Sequence, residues 1–313
     1  MSSYKKHISV VIPIYNEINM LDEIYNRINN VFKKLEDYTY EIVFFDDGST
    51  DGTRKAVEEL CQKHNEVKAV FYSKNFGYLK NTFYSMQQAK GDCAIIVHAD
   101  LQNPPELIPK FIEKWENGAQ VVLGVKNKSR ENKFVYFLRT IFYFLMIKVF
   151  GVNLIPHATE FELFDRSFID ILKKIKINTP FLRGIVMEYA CAVDYVYYTQ
   201  DARKKGKSKF NLNKYYDFAI CGITQHSACL PRRIILCCVI ALILLFAEFC
   251  FSVLTNMGNL DLFNISNAII LRSILAAICI LIIVVCIMFE YIISMKNNSA
   301  DKPMVIEEKR IDY

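Results

Sequence analysis

Residues 41–53 read EIVFFDDGSTDGT, from Glu41 to Thr53. A β-branched and aromatic run ends on two carboxylates, Asp46 and Asp47, and passes into turn residues ahead of a helical stretch with a polar face. The pattern repeats on both sides. His7–Ile14 runs into Pro13-Ile14-Tyr15-Asn16-Glu17, and Cys93–Val97 runs into His98-Ala99-Asp100-Leu101-Gln102-Asn103-Pro104-Pro105-Glu106. With Val67–Tyr72 and Gln120–Leu123, these short strands alternate with helices over residues 1–125, the signature of a mostly parallel, doubly wound α/β sheet. Ligands of such sheets bind beyond the carboxyl ends of the strands. Three acidic strand ends facing one crevice repel a bare anion but suit a metal-bound one, or a base or ribose seeking acceptors.

Composition narrows the classes. The 313 residues are 52% hydrophobic and 23% charged, which excludes a disordered or fibrous chain. The net charge of +5 is too small to indicate nucleic-acid binding, and none is expected. Ten cysteines occur without zinc spacing, and five of them (Cys237, Cys238, Cys250, Cys279, Cys286) lie in apolar runs; they read as reduced hydrophobes. No amino-terminal signal peptide is expected, since Ser2–His7 leads directly into the first strand. Phosphate-cradling GxxxxGKS/T and GxGxxG loops are absent from the sequence, which argues against kinases of that class and dinucleotide oxidoreductases.

The last third of the chain is apolar. Ile234–Leu254 carries one charge, Glu248, and Ala268–Met295 carries Arg272 and Glu290. At about 1.5 Å per residue, each is long enough to cross the ~30 Å hydrocarbon core. Arg232 and Arg233 precede the first and Lys296 and Lys302 follow the second, while Thr255–Asn267 has no Lys or Arg. The positive-inside rule then places both termini in the cytoplasm. Lys133–Phe150 is aromatic but interrupted by Arg139 and Lys148, and reads as a helix lying in the membrane interface, with a soluble core helix as the alternative. Asn213–Pro231 reads as a second surface helix, and the tail after Lys296 as polar and mobile.

PIYNE, DDGSTDGT, Lys74-Asn75-Phe76-Gly77, GDCAIIVHADLQNPPE and Arg203-Lys204-Lys205-Gly206-Lys207-Ser208-Lys209-Phe210, in that order and followed by two apolar segments, resemble the family-2 glycosyltransferases. The likeness is to their polyprenyl-phosphate branch and covers residues 8–294. It implies a GT-A, Rossmann-like nucleotide-sugar domain over residues 1–212, with 133–150 interfacial. It further implies a juxtamembrane helix at 213–231, two transmembrane helices within 232–296 (about 234–254 and 270–294) and a cytoplasmic tail at 297–313.

By the same resemblance, Pro13, Tyr15 and Glu17 shape the nucleotide pocket, Asp46 accepts from the base, and Asp47 lies nearby. His98-Ala99-Asp100 stands in place of the DxD motif, with Asp100, Gln102 and His98 as candidate ligands of Mg²⁺ or Mn²⁺. Arg203 and Lys209 hold phosphate, of donor or acceptor, and Glu160 orients the acceptor or acts as a weak base. The implied partners are a nucleotide diphosphate sugar, undecaprenyl or another polyprenyl phosphate, the membrane, and further copies of the chain, up to a tetramer. The implied reaction is inverting sugar transfer at the cytoplasmic membrane face.

Three segments depart from the family pattern. His98 replaces an Asp, Thr159-Glu160-Phe161-Glu162-Leu163 stands for Gly-Asp-Phe-Arg-Leu, and Met187–Ala190 stands where Trp-x-Gly is expected. Two other readings keep the fold: transfer to a sugar hydroxyl, for which a firm base would be required, and a silent nucleotide-sugar-binding membrane subunit.

Overall fold

The computed structural model describes residues 5–129, 140–200, 212–227, 229–256, 263–299 and 302–312. Arg203, Lys209 and the segment 130–139 lie outside these residues. The chain opens with three strand–helix units: β1 (Lys6–Ile14) and α1 (Leu21–Phe32), β2 (Tyr38–Asp46) and α2 (Thr53–Lys63), β3 (Val67–Tyr72) and α3 (Tyr78–Gln88). Then come β4 (Cys93–Ile96), α4 (Ile108–Glu116), β5 (Val121–Ser129), α5 (Thr140–Val149), β6 (Ala158–Asp165), α6 (Arg166–Lys174), α7 (Leu182–Tyr189) and β7 (Val193–Gln200). The last elements are α8 (Leu212–His226), α9 (Leu230–Asn256), α10 (Phe263–Ser299) and β8 (Glu307–Ile311).

All eight strands form one sheet in the order β7-β5-β6-β4-β1-β2-β3-β8. Alternate strand residues face opposite layers. Val10 and Ile12 join Phe44, Phe71, Phe111 and Trp115 in one core, while Val11 joins Phe45, Val70, Phe83 and Phe168 in the other. The centre, β4-β1-β2-β3, is parallel as the sequence predicts. Two strands escape the sequence pattern. β6 runs antiparallel to both β4 and β5, and β8 antiparallel to β3. The expectation of a mobile tail is therefore corrected: α10 continues to Ser299, and the chain then returns to the sheet as β8. Its alternation is invisible in composition, because an edge strand pairs on one side only and Glu-Glu-Lys-Arg stays solvated.

α9 and α10 contain two candidate membrane spans, Leu230–Glu248 and Leu271–Ser299, with none of either buried by protein. The Oγ of Ser273 donates to Glu248 Oε2 across the pair at 3.4 Å, so Glu248 meets the neighbour of Arg272. α5 packs Met146 into a small satellite core with Val152, Leu154, Phe181 and Ile223, and exposes Ile141, Phe144, Leu145 and Val149 on its other side.

At the amino-terminal ends of the strands, away from the acidic crevice, Glu41 is buried. Ser9 Oγ donates to it at 2.6 Å, and Lys68 Nζ pairs with it at 2.8 Å. Burial pushes the carboxyl up, but hydrogen bonds from His7, Lys68 and Ser9 outweigh burial and hold it down to about 2. Its folded value lies below its ordinary 4.5, so Glu41 stabilises the fold fully above pH 4.5 and ceases to as the pH falls toward 2. The difference corresponds to about 3 kcal/mol at neutral pH. Glu41→Gln is expected to lower the melting temperature at pH 7 and to flatten its fall below pH 4.5, read by thermal unfolding across pH.

Candidate active site

The ends of β1 and β2 are level, with Ile14 opposite Asp46, and β4 lies on the far side of β1, where Val97 N donates to Val11 O. The first two loops interlock. Asn16, in the left-handed region at φ 55°, donates its N–H to Ser49 Oγ and accepts from Thr50 N; Glu17 N donates to Thr53 Oγ1. Pro13 is buried beneath them, while Tyr15 and Glu17 are half-buried at the rim.

Asp46 is fully buried and accepts from Ser49 N at 3.3 Å; burial raises its carboxyl. Asp47 accepts from Phe76 N at 2.7 Å and Gly77 N at 3.0 Å. It thereby clasps the loop Lys74–Gly77 that follows β3. Burial lifts its carboxyl to about 6, against the pull of those two amides.

Gly48 lies where the two loops cross. At φ 70°, an added Cβ would stand 2.6 Å from the Lys74 carbonyl carbon and 2.8 Å from Asn75 N. Backbone on both sides leaves no flexible atom to yield. Gly48→Ala is expected to cost about 3 kcal/mol in strain and clash as the loops part. Thermal unfolding of the purified variant checks it.

Beyond β4, His98 Nε2 stands 3.5 Å from the Tyr78 hydroxyl, and the ring hydrogen-bonds the Glu160 backbone. Burial lowers its basicity, helped by Arg183 and Lys126 and opposed by Asp100, which keeps the imidazole neutral. Asp100 Oδ1 accepts from Gln102 N at 3.2 Å. Ala99 is buried, and Asn103 is fixed by the Tyr198 hydroxyl, which donates to its Oδ1 at 2.6 Å.

Glu160 and Glu162, two apart on β6, share one face and one cation. Arg183 Nη2 of α7 lies 3.5 Å from Glu160 Oε1, and its Nη1 is 3.5 Å from the Tyr143 hydroxyl of α5. Glu162 is 1% exposed, and its Oε2 has no hydrogen-bond partner among the described residues. Burial first, then the charge of Glu160, push Glu162 up to about 8 against the attraction of Arg183; burial likewise raises Glu160, and Arg183 opposes it. At neutral pH Glu162 therefore carries a proton, and the apparent charge reversal in Glu160-Phe161-Glu162 is largely silent.

The sequence-predicted residues Pro13, Tyr15, Glu17, Asp46, Asp47, His98, Ala99, Asp100 and Gln102 thus gather at the carboxyl ends of three adjacent strands, with Glu160 on the next strand, β6. Arg203 and Lys209 lie outside the described residues. Sequence reasoning missed Arg183, Tyr143 and Tyr78. Arg183 stood in view within Phe181-Leu182-Arg183-Gly184, but nothing local to a sequence tells a half-buried, paired cation from a surface one. No three His, Cys, Asp or Glu side chains converge as a cation cage among the described residues. The donor set of Asp100 with a neighbouring amide and imidazole fits a divalent ion that completes its shell on substrate phosphates rather than one caged by protein.

A doubly wound sheet with acidic loops at its parallel strand ends and an amphipathic flank agrees with the GT-A architecture that the sequence motifs imply. The profile described as "Glycosyl transferase family 2" matches residues 9–189, and the chain belongs to that family. It is 34% identical over 220 residues to the "Uncharacterized glycosyltransferase YkcC" of Bacillus subtilis (strain 168), covering 70% of this chain and 68% of that one. It is 32% identical over 228 residues to the "Bactoprenol glucosyl transferase" of Shigella phage SfV, covering 72% and 74%. The fold is similar to glucosyl-3-phosphoglycerate synthase from Mycobacterium tuberculosis, solved with Mn²⁺, UDP and glucosyl-3-phosphoglycerate. The TM-score is 0.51 at 15% identity, over 70% of this chain and 78% of that one.

Proposed function

We propose that the protein transfers a sugar, with inversion, from a nucleotide diphosphate to a polyprenyl phosphate at the cytoplasmic face of the membrane. The observation that carries this reading is the wall of the site. Tyr143, beside Arg183 and Glu160, sits on α5, whose opposite side presents Ile141, Phe144 and Leu145 to the surroundings. An apolar face of this kind suits the headgroup–acyl boundary. A lipid phosphate entering there meets the site without leaving the bilayer. The bactoprenol relative supports the acceptor class. Both flanks of the α9–α10 hairpin belong to one sheet, which supports a hairpin entering and leaving from the same side.

In this reading Asp46 and the interlocked β1 and β2 loops receive the nucleotide, and Asp100, with Gln102 and His98, holds Mg²⁺ or Mn²⁺. The ion supplies charge stabilisation at the leaving diphosphate. The bond from the anomeric carbon to the diphosphate oxygen breaks as an acceptor phosphate oxygen bonds that carbon from the opposite face. The acceptor is already ionised near neutrality, with a second pKa of about 6, so no firm base is required. Glu160 orients it through Arg183, and Arg203 and Lys209 contribute phosphate contacts.

The test is a donor screen. Purified protein, undecaprenyl phosphate and Mg²⁺ or Mn²⁺ are offered UDP-, GDP- and CDP-sugars, scored by nucleotide release and lipid-product mass. A prenyl-phosphate sugar of inverted configuration is expected. Transfer to a sugar hydroxyl alone, abolished by Glu160→Gln, would overturn the acceptor assignment.

A further inference from the structure

The strand after the membrane hairpin has no part in the chemistry described so far, yet its bonds concentrate around one loop. β8 pairs with β3 through Ala69–Ile311, Val70–Arg310, Phe71–Lys309 and Tyr72–Glu307. Just beyond this ladder, Ser73 N donates to Ile306 O at 3.0 Å. The next four residues are the loop Lys74–Gly77, whose Phe76 and Gly77 amides are clasped by Asp47 and whose Lys74 and Asn75 backbone crosses Gly48.

Side chains fix the strand on both layers. Tyr84 of α3 donates to Glu307 at 2.6 Å and Arg310 donates to Gln88 at 2.7 Å. On the α2 side, Arg54 pairs with Glu308 at 2.8 Å and Lys309 with Glu58 at 2.7 Å. Val305 is buried in the core that also holds Tyr72 and Phe83. Exposed pairs of this kind contribute little singly. Here four polar pairs and one buried side chain converge on β3 and the two helices flanking it, and β3 carries the loop.

We propose that β8 is a positioning element of the donor site: by covering the β3 edge and tying down Ser73, it holds the Lys74–Gly77 loop in the place where Asp47 and Gly48 lock it. Donor binding then depends on the chain returning from the membrane hairpin to the sheet. This rests on the reading of the crevice as a nucleotide-diphosphate site.

The experiment uses the full chain in lipid nanodiscs beside a chain ended after Pro303. Hydrogen exchange is followed at Phe76 and Gly77 without ligand, and binding of UDP and GDP with Mn²⁺ is measured by calorimetry. In the shortened chain, exchange at these two amides is expected to accelerate at least tenfold and nucleotide affinity to fall about tenfold. A synthetic peptide of residues 302–313 is expected to restore both. Unchanged exchange and affinity in a folded shortened chain would overturn the proposal, as would a lowered melting temperature with neither readout moved. If the shortened chain does not fold, the paired variant Tyr84→Phe with Glu307→Gln keeps the strand and removes one anchor. It is expected to weaken nucleotide binding two- to fivefold, and unaltered binding overturns the proposal. Accelerated exchange in a protein whose full chain binds neither nucleotide would leave the loop positioned but refute the donor reading, and with it any role for β8 in donor binding.

Discussion

Asp100→Ala protein is expected to transfer sugar about a thousandfold more slowly than the parent chain, with nucleotide affinity lowered far less. His98-Ala99-Asp100 offers one carboxylate where the family pattern has two, and burial keeps the His98 imidazole neutral. In the proposed reading, the charge this loop offers to a diphosphate–metal complex is therefore that of Asp100. Removing stabilisation of a developing leaving-group charge costs about 4 kcal/mol, which is about a thousandfold in rate. The Asn variant keeps an oxygen and the Gln102 amide contact, and is expected to lose less. Single-turnover release of nucleoside diphosphate, with Mn²⁺ titrated, separates lost chemistry from lost metal affinity. Turnover within tenfold of the parent at saturating Mn²⁺ would remove Asp100 from the site.

Arg183→Ala is expected to cost about 2 kcal/mol in stability and about a hundredfold in activity. One guanidinium serves the buried Glu162 carboxyl and the partly buried Glu160, and without it the two carboxyls face each other with no cation between them. Glu162→Gln makes the contrasting case. Its carboxyl is already protonated at neutral pH, so the amide replaces it with nearly the same shape, and activity at pH 7 is expected to stay within about twofold. The stability effect has a definite sign. The folded value of about 8 lies above the ordinary 4.5, so the parent loses stability as pH rises from 4.5 to 8 and is level beyond. The Gln variant lacks that decline and is expected to gain up to about 3 kcal/mol on the parent by pH 7. Thermal unfolding at pH 5, 7 and 9 checks it; curves that keep a constant offset would mean Glu162 is ionised in the fold.

The sequence made the parallel centre of the sheet legible because β1 to β4 are sandwiched between two helix layers. Strands buried on both faces must be nearly continuous apolar runs, and the carboxylates at their ends stand out against them. β6 and β8 obey other rules. β6 sets Thr159, Phe161 and Leu163 on one face against Glu160 and Glu162 on the other, and admits those two carboxyls where Arg183 arrives from α7, twenty or more residues later. β8 is a charged pentapeptide whose strand character comes from the β3 edge, not from its own side chains. The residues at the ends of β1, β2 and β4 were likewise readable in contiguous motifs. Glu160 was readable too, but its partners Tyr143 and Arg183 were not, since the three come from separated segments and meet only through the fold.

The chain leaves the sheet from β7 and rejoins it at β8, and these are its two opposite edges. Seven interstrand spacings of about 4.8 Å separate them, roughly 34 Å. The stretch that carries the two long apolar helices is therefore bracketed by strands at opposite rims of the sheet, and a truncation that removes β8 uncovers the β3 edge while leaving the β7 edge as it is.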